Sequence, residues 1–490
     1  MKKLLGFIMI FMICFAMPYA EEAKPVDNTD NSEEQIADWT VFVYMCADND
    51  LEPFAFFDLN EMEQIGSSKK LNIIALVDRW DGYDWKYGPD GTPVREKSDK
   101  YNMHEFSNKY WGEWSTAKLY YVTKDEDVNA VSSLEIKDLG EIDTGNPKTL
   151  ESILGVVMKV YKAKNYFTVI WNHGNGIEGV GYDDQASLDK TKTDGKYVYM
   201  NKSKLSGPEL GKVFSNVVAK ITAKDEVKMD MVGFDACLMS MYSHHYELAS
   251  NGVKTVIGSQ ELEPGNGWPY MDILYYLRKM TDESKAVTTN NLATWIARRY
   301  IASYEKDQVT MACVKTDPVT ALDAVNAKID ALIDKILSSE ENMLKLHEAA
   351  KISQRYNTGN EQMDKFVYYV DLIDFIKNIE QGFDKETAEL AKAVIDEIGS
   401  QKIIIANEKK GSLVKDSNGI AIYFPLYRRA KDKEGNAYLI KPYITDTYKG
   451  YVTEREIFKE FKFGSTSKWD KMLVEYYKAM ESKTDEEVAL

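Results

Sequence analysis

The chain has 490 residues, 44% of them hydrophobic and 28% charged, which is room for one large catalytic domain with additions or for two to three ordinary domains. Sixty-one Lys and Arg stand against 78 Asp and Glu, a formal net charge of −17. This balance argues against a nucleic-acid partner, because phosphate binding needs clustered cations, and it favours attraction of basic substrates.

Residues 1–20 have the layout of a secretory signal. Lys2 and Lys3 precede an apolar run from Leu4 to Met17, and Pro18-Tyr19-Ala20 predicts a cut after Ala20. Pro18 fits that cut poorly. Cys14 follows Phe11-Met12-Ile13, which lacks the small residue of a lipid-attachment motif. The expectation is an exported protein, secreted, periplasmic or envelope-associated. Residues 21–38 are an acidic linker. No later apolar run reaches the ~18 residues of a membrane span, so no transmembrane segment is expected in the mature chain.

Short Val/Ile-rich runs follow at Trp39–Met45, Leu71–Val77, Phe167–Trp171, Met229–Phe234, Lys254–Gly258 and Val309–Val314. They are continuous rather than alternating, as strands buried on both faces are. Helical patterns lie between them at Pro53–Ile65, Thr149–Ala163 and Gly207–Ile221. This alternation predicts an α/β fold with a mostly parallel central sheet flanked by helices. Residues 82–128 break the rhythm and read as an aromatic-rich insertion or hairpin. Residues 185–206 form a polar, Lys-rich stretch. From Asp317 the pattern turns mainly helical, with Leu322, Val325, Ile329, Leu332 and Ile336 on one stripe. Further helices are expected at 340–356, 361–379, 385–399 and 466–481. A returning strand pair is expected at Lys402–Ala406 and Gly419–Phe424. The domain reading is 1–20 signal, 21–38 linker, 39–316 catalytic core and 317–490 helical portion.

Beyond the signal, the cysteines are Cys46, Cys237 and Cys313. Three thiols make no disulfide scaffold, and an odd number leaves one unpaired. Cys46 and Cys313 sit inside apolar strands and read as core. Cys237 differs. In parallel sheets, ligands bind beyond the carboxyl ends of strands. One such end carries Asn172-His173-Gly174-Asn175-Gly176, and another carries Asp235-Ala236-Cys237-Leu238-Met239-Ser240. A thiol beside an imidazole is the minimum for covalent acyl transfer. The Gly174 and Cys237 N–H groups would form the oxyanion hole. His244 and His245 read as packing or surface residues on the next helix. Apart from that adjacent pair, nothing has metal-ligand spacing, so no metal site is assigned.

His-Gly about sixty residues before Asp-Ala-Cys, each ending an apolar strand, resembles the clostripain family of cysteine peptidases, in the caspase-like group. Three other stretches carry the resemblance: Tyr44-Met45-Cys46-Ala47-Asp48-Asn49-Asp50-Leu51-Glu52, Ser259-Gln260-Glu261 with Glu263-Pro264-Gly265-Asn266-Gly267-Trp268, and Gly419-Ile420-Ala421-Ile422-Tyr423-Phe424-Pro425. It implies a caspase-like fold, with Cys237 and His173 as the catalytic dyad and Gly174 in the oxyanion hole. It places Asp235 at the base of the S1 pocket, pairing with a substrate Arg or Lys; read without it, Asp235 is a turn or helix cap. It also implies a zymogen that cuts itself between His173 and Cys237, with Lys190, Lys192 and Lys196 as candidate sites. Calcium is the one cofactor it brings in. Asp183-Asp184 and Asp48-Asn49-Asp50 offer carboxylates, without a recognisable calcium-loop pattern. The expected partners are proteins or peptides with Arg or Lys, the expected state a monomer. No third residue to orient His173 stands out; a backbone carbonyl or Asn172 would serve. The rival reading is a catalytically silent relative that binds peptides or a partner at the cell envelope. A third reading is an acidic scaffold using the aromatic segment Tyr83–Tyr121.

Overall fold

The computed structural model describes residues 36–87, 92–186, 189–193, 196–200, 203–221, 228–356, 368–431, 437–439, 454–484 and 487–488. The expected signal and most of the acidic linker lie outside them. In chain order the first elements are β1 (Ala37–Ala47), α1 (Glu52–Glu63), β2 (Leu71–Arg79), β3 (Tyr83–Tyr87), β4 (Pro93–Lys97), α2 (Tyr101–Trp111), β5 (Ala117–Tyr121), β6 (Leu134–Gly140), α3 (Pro147–Val160) and β7 (Ala163–Trp171). Then come β8 (Asp189–Thr193), β9 (Lys196–Met200), α4 (Gly207–Ile221), β10 (Met231–Asp235), α5 (Tyr242–Ser250), β11 (Thr255–Gly258), α6 (Tyr270–Asp282), α7 (Thr289–Ser303) and β12 (Val309–Lys315). The remainder is α8 (Val319–Ile336), α9 (Glu341–Ile352), β13 (Tyr369–Asp371), α10 (Leu372–Gly382), α11 (Lys385–Ser400), β14 (Ile404–Lys410), β15 (Ala421–Tyr423), β16 (Arg429–Lys431), β17 (Ala437–Leu439), α12 (Glu454–Glu460), α13 (Lys462–Thr466) and α14 (Trp469–Glu481).

Nine strands form one sheet in the order β14-β12-β11-β10-β7-β1-β2-β5-β6. The five central strands, β11, β10, β7, β1 and β2, are parallel. Antiparallel pairs extend both edges. β1 shows why its sequence is a continuous apolar run. Trp39, Val41, Val43 and Met45 pack on one face with α1, α6 and α7. Phe42, Tyr44 and Cys46 pack on the other face with α3 and α4. Both faces of a period-2 strand are therefore covered, so no polar alternation survives.

Residues 82–128 are more than an insertion. β3 and β4 make a hairpin and α2 follows, but β5 then joins the main sheet beside β2, with β6 outside it. β6 has no buried residue, as suits an edge strand. Trp111 and Tyr120 of this segment are buried, whereas Tyr83 and Phe106 are exposed. Trp111 and Trp114 lie over the buried Arg79 guanidinium, 5.6 and 4.6 Å from it, and Tyr110 packs on Phe56.

The returning strands are not a pair. β14 extends the main sheet beyond β12, whereas β15 pairs with β13 in a separate two-stranded sheet. β13 also takes the place of part of the helix expected at 361–379; residues 357–367 lie outside the described residues. The stripe on α8 is buried as expected, in a core shared with α5, α9, α10, α11 and α14. That core braces the sheet edge where the site lies. Ala421 N donates to Ser240 O at 2.8 Å, and Tyr369 Oη donates to Asn175 O at 2.9 Å.

Candidate active site

β7 and β10 are neighbours, with Trp171 opposite Asp235. The chain leaves both strands at the same edge, and Asn172 N donates to Asp235 O at 3.2 Å. His173 and Cys237 therefore follow side by side on adjacent strand ends. A Cβ on Gly174 would meet Cys237 O at 2.4 Å and the Ala236 Cβ at 3.1 Å. Only glycine lets these two backbones approach so closely.

The peptide chain turns sharply after the thiol. Leu238 holds φ +62°, a left-handed conformation rare for a branched apolar residue. Its N–H donates to Glu261 O at 3.2 Å, and Ser240 N donates to Ser259 O at 2.8 Å. The segment after β11 is thus laced to the Cys237 turn. Glu263 N donates to Cys237 Sγ at 3.2 Å. Burial pushes the thiol above its ordinary pKa.

His173 is half-exposed, and its Nε2 lies 2.8 Å from Asp50 Oδ1. Asp50 also pairs with Lys100. The hydrogen bond to His173, reinforced by Lys100, holds the Asp50 carboxyl well below the usual range. Asn172 does not orient His173. Its amide donates to Cys46 O, and its Oδ1 accepts from Tyr182 N at 2.9 Å. Asp50, offered by the sequence only as a calcium carboxylate, is the His173 neighbour that sequence reasoning missed, 123 residues away in the chain. Its signal was its place in the loop after β1, at the same sheet edge.

Asp235 is buried, and its Oδ2 accepts from Trp268 N at 3.2 Å and Tyr270 Oη at 2.8 Å. Burial pushes its carboxyl up to about 6, against those hydrogen bonds. Glu263 lies beside it, its carboxylate shut from solvent, and burial raises it strongly. Asp58, which accepts from Trp171 Nε1 at 2.7 Å, is a third member of this acidic group. A cavity of about 300 Å³ is lined by Phe54, Phe57, Asp58, Glu61, Gly267 and Tyr304 among others. Asp235, Glu263, Asp58 and Glu61 form no ion pair among the described residues.

The other candidates fall as follows. Lys190 and Lys192 lie on β8 and Lys196 opens β9, an antiparallel hairpin rather than an irregular loop. Cys46 and Cys313 are buried and unpaired. His244 and His245 are fully buried packing residues. His244 packs on Phe461, His245 Nε2 lies 3.1 Å from Ser240 Oγ, and burial holds both near pKa 3. Of the carboxylates named for calcium, Asp48 and Asp183 converge with Asp78, whereas Asp50 is engaged by His173 and Lys100.

A helix-flanked, mainly parallel sheet with Cys and His on neighbouring strand ends defines a caspase-like cysteine protease architecture. The clostripain family profile matches residues 43–477, and the chain belongs to this family of cysteine proteases. It is 22% identical over 432 residues to clostripain of Hathewaya histolytica, covering 79% of this chain and 74% of that protein. Two solved structures share the fold. The secreted C11 cysteine protease "iotapain" of Bacteroides thetaiotaomicron has a TM-score of 0.51 at 16% identity, over 79% of this chain and 94% of that one. An inactive zymogen C11 protease from Parabacteroides distasonis has 0.52 at 16% identity, over 90% and 99%. No helix among the described residues is long and apolar enough to cross a membrane.

Proposed function

We propose that the chain is an endopeptidase that cleaves after Arg or Lys, with Cys237 as nucleophile and His173 as its base and acid. The observation that carries this reading is the shared edge of β7 and β10, which brings the Cys237 turn against Gly174.

The chemistry follows from that edge. With Nε2 bound to a carboxylate, the neutral His173 ring carries its proton on Nε2, which leaves Nδ1 to accept one. The raised thiol needs such a base. Nδ1 takes the Sγ proton as sulfur attacks the scissile carbonyl carbon. The carbonyl π pair moves onto oxygen, where the Gly174 and Cys237 N–H groups stabilise it. The oxyanion collapses, the C–N bond breaks, and the imidazolium gives its proton to the leaving amine. Water then attacks the thioester while His173 takes its proton. The C–S bond breaks and the thiol is restored.

The basic preference rests on the acidic group beneath Cys237. Asp235, Glu263, Asp58 and Glu61 cluster without an ion-pair partner among the described residues, and a guanidinium or ammonium would offset them. Asp235 is the intended S1 partner. Trp268 and Tyr270 now hold it, so the segment 263–270 must shift to admit a substrate side chain. The bond from Glu263 N to Cys237 Sγ suits a closed precursor, opened by self-cleavage after Lys190, Lys192 or Lys196. We read the protein as exported, on residues 1–20, and as a monomer.

The test is hydrolysis of Arg and Lys peptides by the wild type and by Cys237→Ala. Activity that survives the replacement would sink the assignment of the nucleophile.

A further inference from the structure

Four side chains of α1 line the cavity of about 300 Å³ together: Phe54, Phe57, Asp58 and Glu61. Their spacing is i, i+3, i+4 and i+7, so they share one face of the helix. The core face of α1 is different and apolar, with Ala55, Phe56, Leu59 and Met62. The cavity face is half aromatic and half acidic. The rest of the wall comes from the segment after β11 and the end of α7, where Tyr304 Oη donates to Gly267 O at 2.6 Å. Phe57, Asn266 and Ser303 of the lining are exposed, so the cavity opens to solvent.

Its carboxylates are only partly satisfied. Asp58 is 3% exposed, and its Oδ2 accepts from Trp171 Nε1 at 2.7 Å. Its Oδ1 accepts no hydrogen bond among the described residues. Glu61 Oε2 accepts from Met271 N at 3.2 Å. Neither residue forms an ion pair among the described residues. The charges acting on them, besides each other, are Asp235 and Asp272, and of these only Asp272 has a cation, Arg299. Burial raises both carboxyls, Asp58 strongly.

A buried carboxylate oxygen without a donor calls for a positive partner. The volume is that of a small-ligand pocket rather than an ion cage. A guanidinium fits this chemistry best. It forks onto carboxylate oxygens, lies flat on aromatic rings and is weakly hydrated, so it enters such a wall more readily than an ammonium. We propose that the cavity is a second guanidinium site, apart from Asp235, which holds an arginine side chain of the bound peptide at a position other than the cleaved one. Neither Asp235 nor Glu263 lines the cavity. Gly267 belongs to both places: it lines the cavity, and a Cβ on it would lie 3.0 Å from Asp235 Oδ1. The two sites are thus neighbours, within reach of one peptide. Phe57 and Met271 are exposed and give that peptide an apolar rim. The peptide as occupant rests on the peptidase reading; guanidinium binding does not.

The binding test uses the full chain as Cys237→Ala, so that neither turnover nor self-cleavage enters. There Trp268 and Tyr270 still hold Asp235, while the cavity stays open. N-acetyl-arginine amide is titrated by calorimetry at pH 8 beside N-acetyl-citrulline amide, its uncharged isostere. The expected result is one equivalent of arginine amide, with citrulline amide weaker by at least about tenfold. Glu61→Gln should weaken arginine amide at least about fivefold, and Asp235→Asn less than about twofold. Asp58→Asn is the second cavity variant, should the first fail to fold. No preference for arginine over citrulline amide at tens of millimolar, or unchanged affinity in the folded cavity variants, would overturn the site. Equal weakening by Asp235→Asn would place the binding at Asp235 and overturn it too.

The peptide arm measures KM on the wild type for peptides with Arg at the cleaved position and Arg or Gln at each flanking position in turn. Arg at one flanking position should lower KM at least about fivefold. Glu61→Gln should erase that gain, costing the two-Arg peptide more than its one-Arg partner. Equal loss on both would overturn a separate site. Arginine amide binding without a responding position would overturn the peptide as occupant in favour of a free small cation. No turnover of any peptide would end the peptidase reading and leave the binding test to decide the site.

Discussion

His173 Nε2 lies 2.8 Å from Asp50 Oδ1, and this contact joins the end of β7 to the segment that follows β1. In the proposed mechanism it fixes the ring's tautomer and stabilises the imidazolium. Asp50 is a positioning residue here, since it touches His173 and not the substrate. Asp50→Asn should lower kcat by about tenfold to a hundredfold and leave KM within about twofold. Asp50→Glu should recover part of the loss. A rise in KM with unchanged kcat would assign Asp50 to substrate binding instead.

Gly174 allows no side chain. In Gly174→Ala the new methyl carbon would meet Cys237 O at 2.4 Å, so one of the two strand ends must move. The expected cost is about 1–3 kcal/mol of stability, seen as an earlier denaturant midpoint. Peptide hydrolysis should fall by at least about a hundredfold, because both oxyanion donors shift. Near-normal activity in this variant would contradict the oxyanion assignment.

Asp235 links specificity to pH. Its folded pKa, about 6, lies above the ordinary value of 3.8. A raised carboxyl contributes stability that is present below about pH 4 and lost as pH rises through 6. Asp235→Asn should therefore be more stable than the wild type at pH 8, by an amount on the order of 2–3 kcal/mol in denaturant unfolding. The gap should close towards pH 4. The same variant should lose kcat/KM on Arg and Lys peptides more than on Leu peptides. Equal loss on both would make Asp235 structural.

Much of this arrangement is legible in the sequence, for a physical reason. β1, β2, β7, β10 and β11 are covered on both faces, so they stand out as unbroken apolar runs. Their order places His173 and Cys237 at carboxyl ends without knowledge of any contact. β5 and β6 escaped because Ala117–Tyr121 and Leu134–Gly140 lie toward an edge and mix charge with apolar residues. The partner of β14 was misread because pairing over nearly a hundred residues leaves no local trace. The same limit hid Asp50 from His173 and Tyr270 from Asp235. Asp78 was passed over because it looks like the polar end of a strand. Only the folded chain brings it to Asp48 and Asp183.

Self-processing has its own test. Wild type should split on a denaturing gel after Lys190, Lys192 or Lys196, as read by mass spectrometry of the new termini. Cys237→Ala should stay one chain. An active wild type that remains intact would end the precursor reading.

The most direct measurement is a panel of fluorogenic peptides with Arg, Lys, Asp, Asn or Leu at the cleaved position, run on wild type and Cys237→Ala side by side. The account predicts turnover confined to Arg and Lys in the wild type and absent in the variant. Turnover of Asp or Asn peptides would contradict the S1 assignment. Turnover by Cys237→Ala would contradict the proposed mechanism.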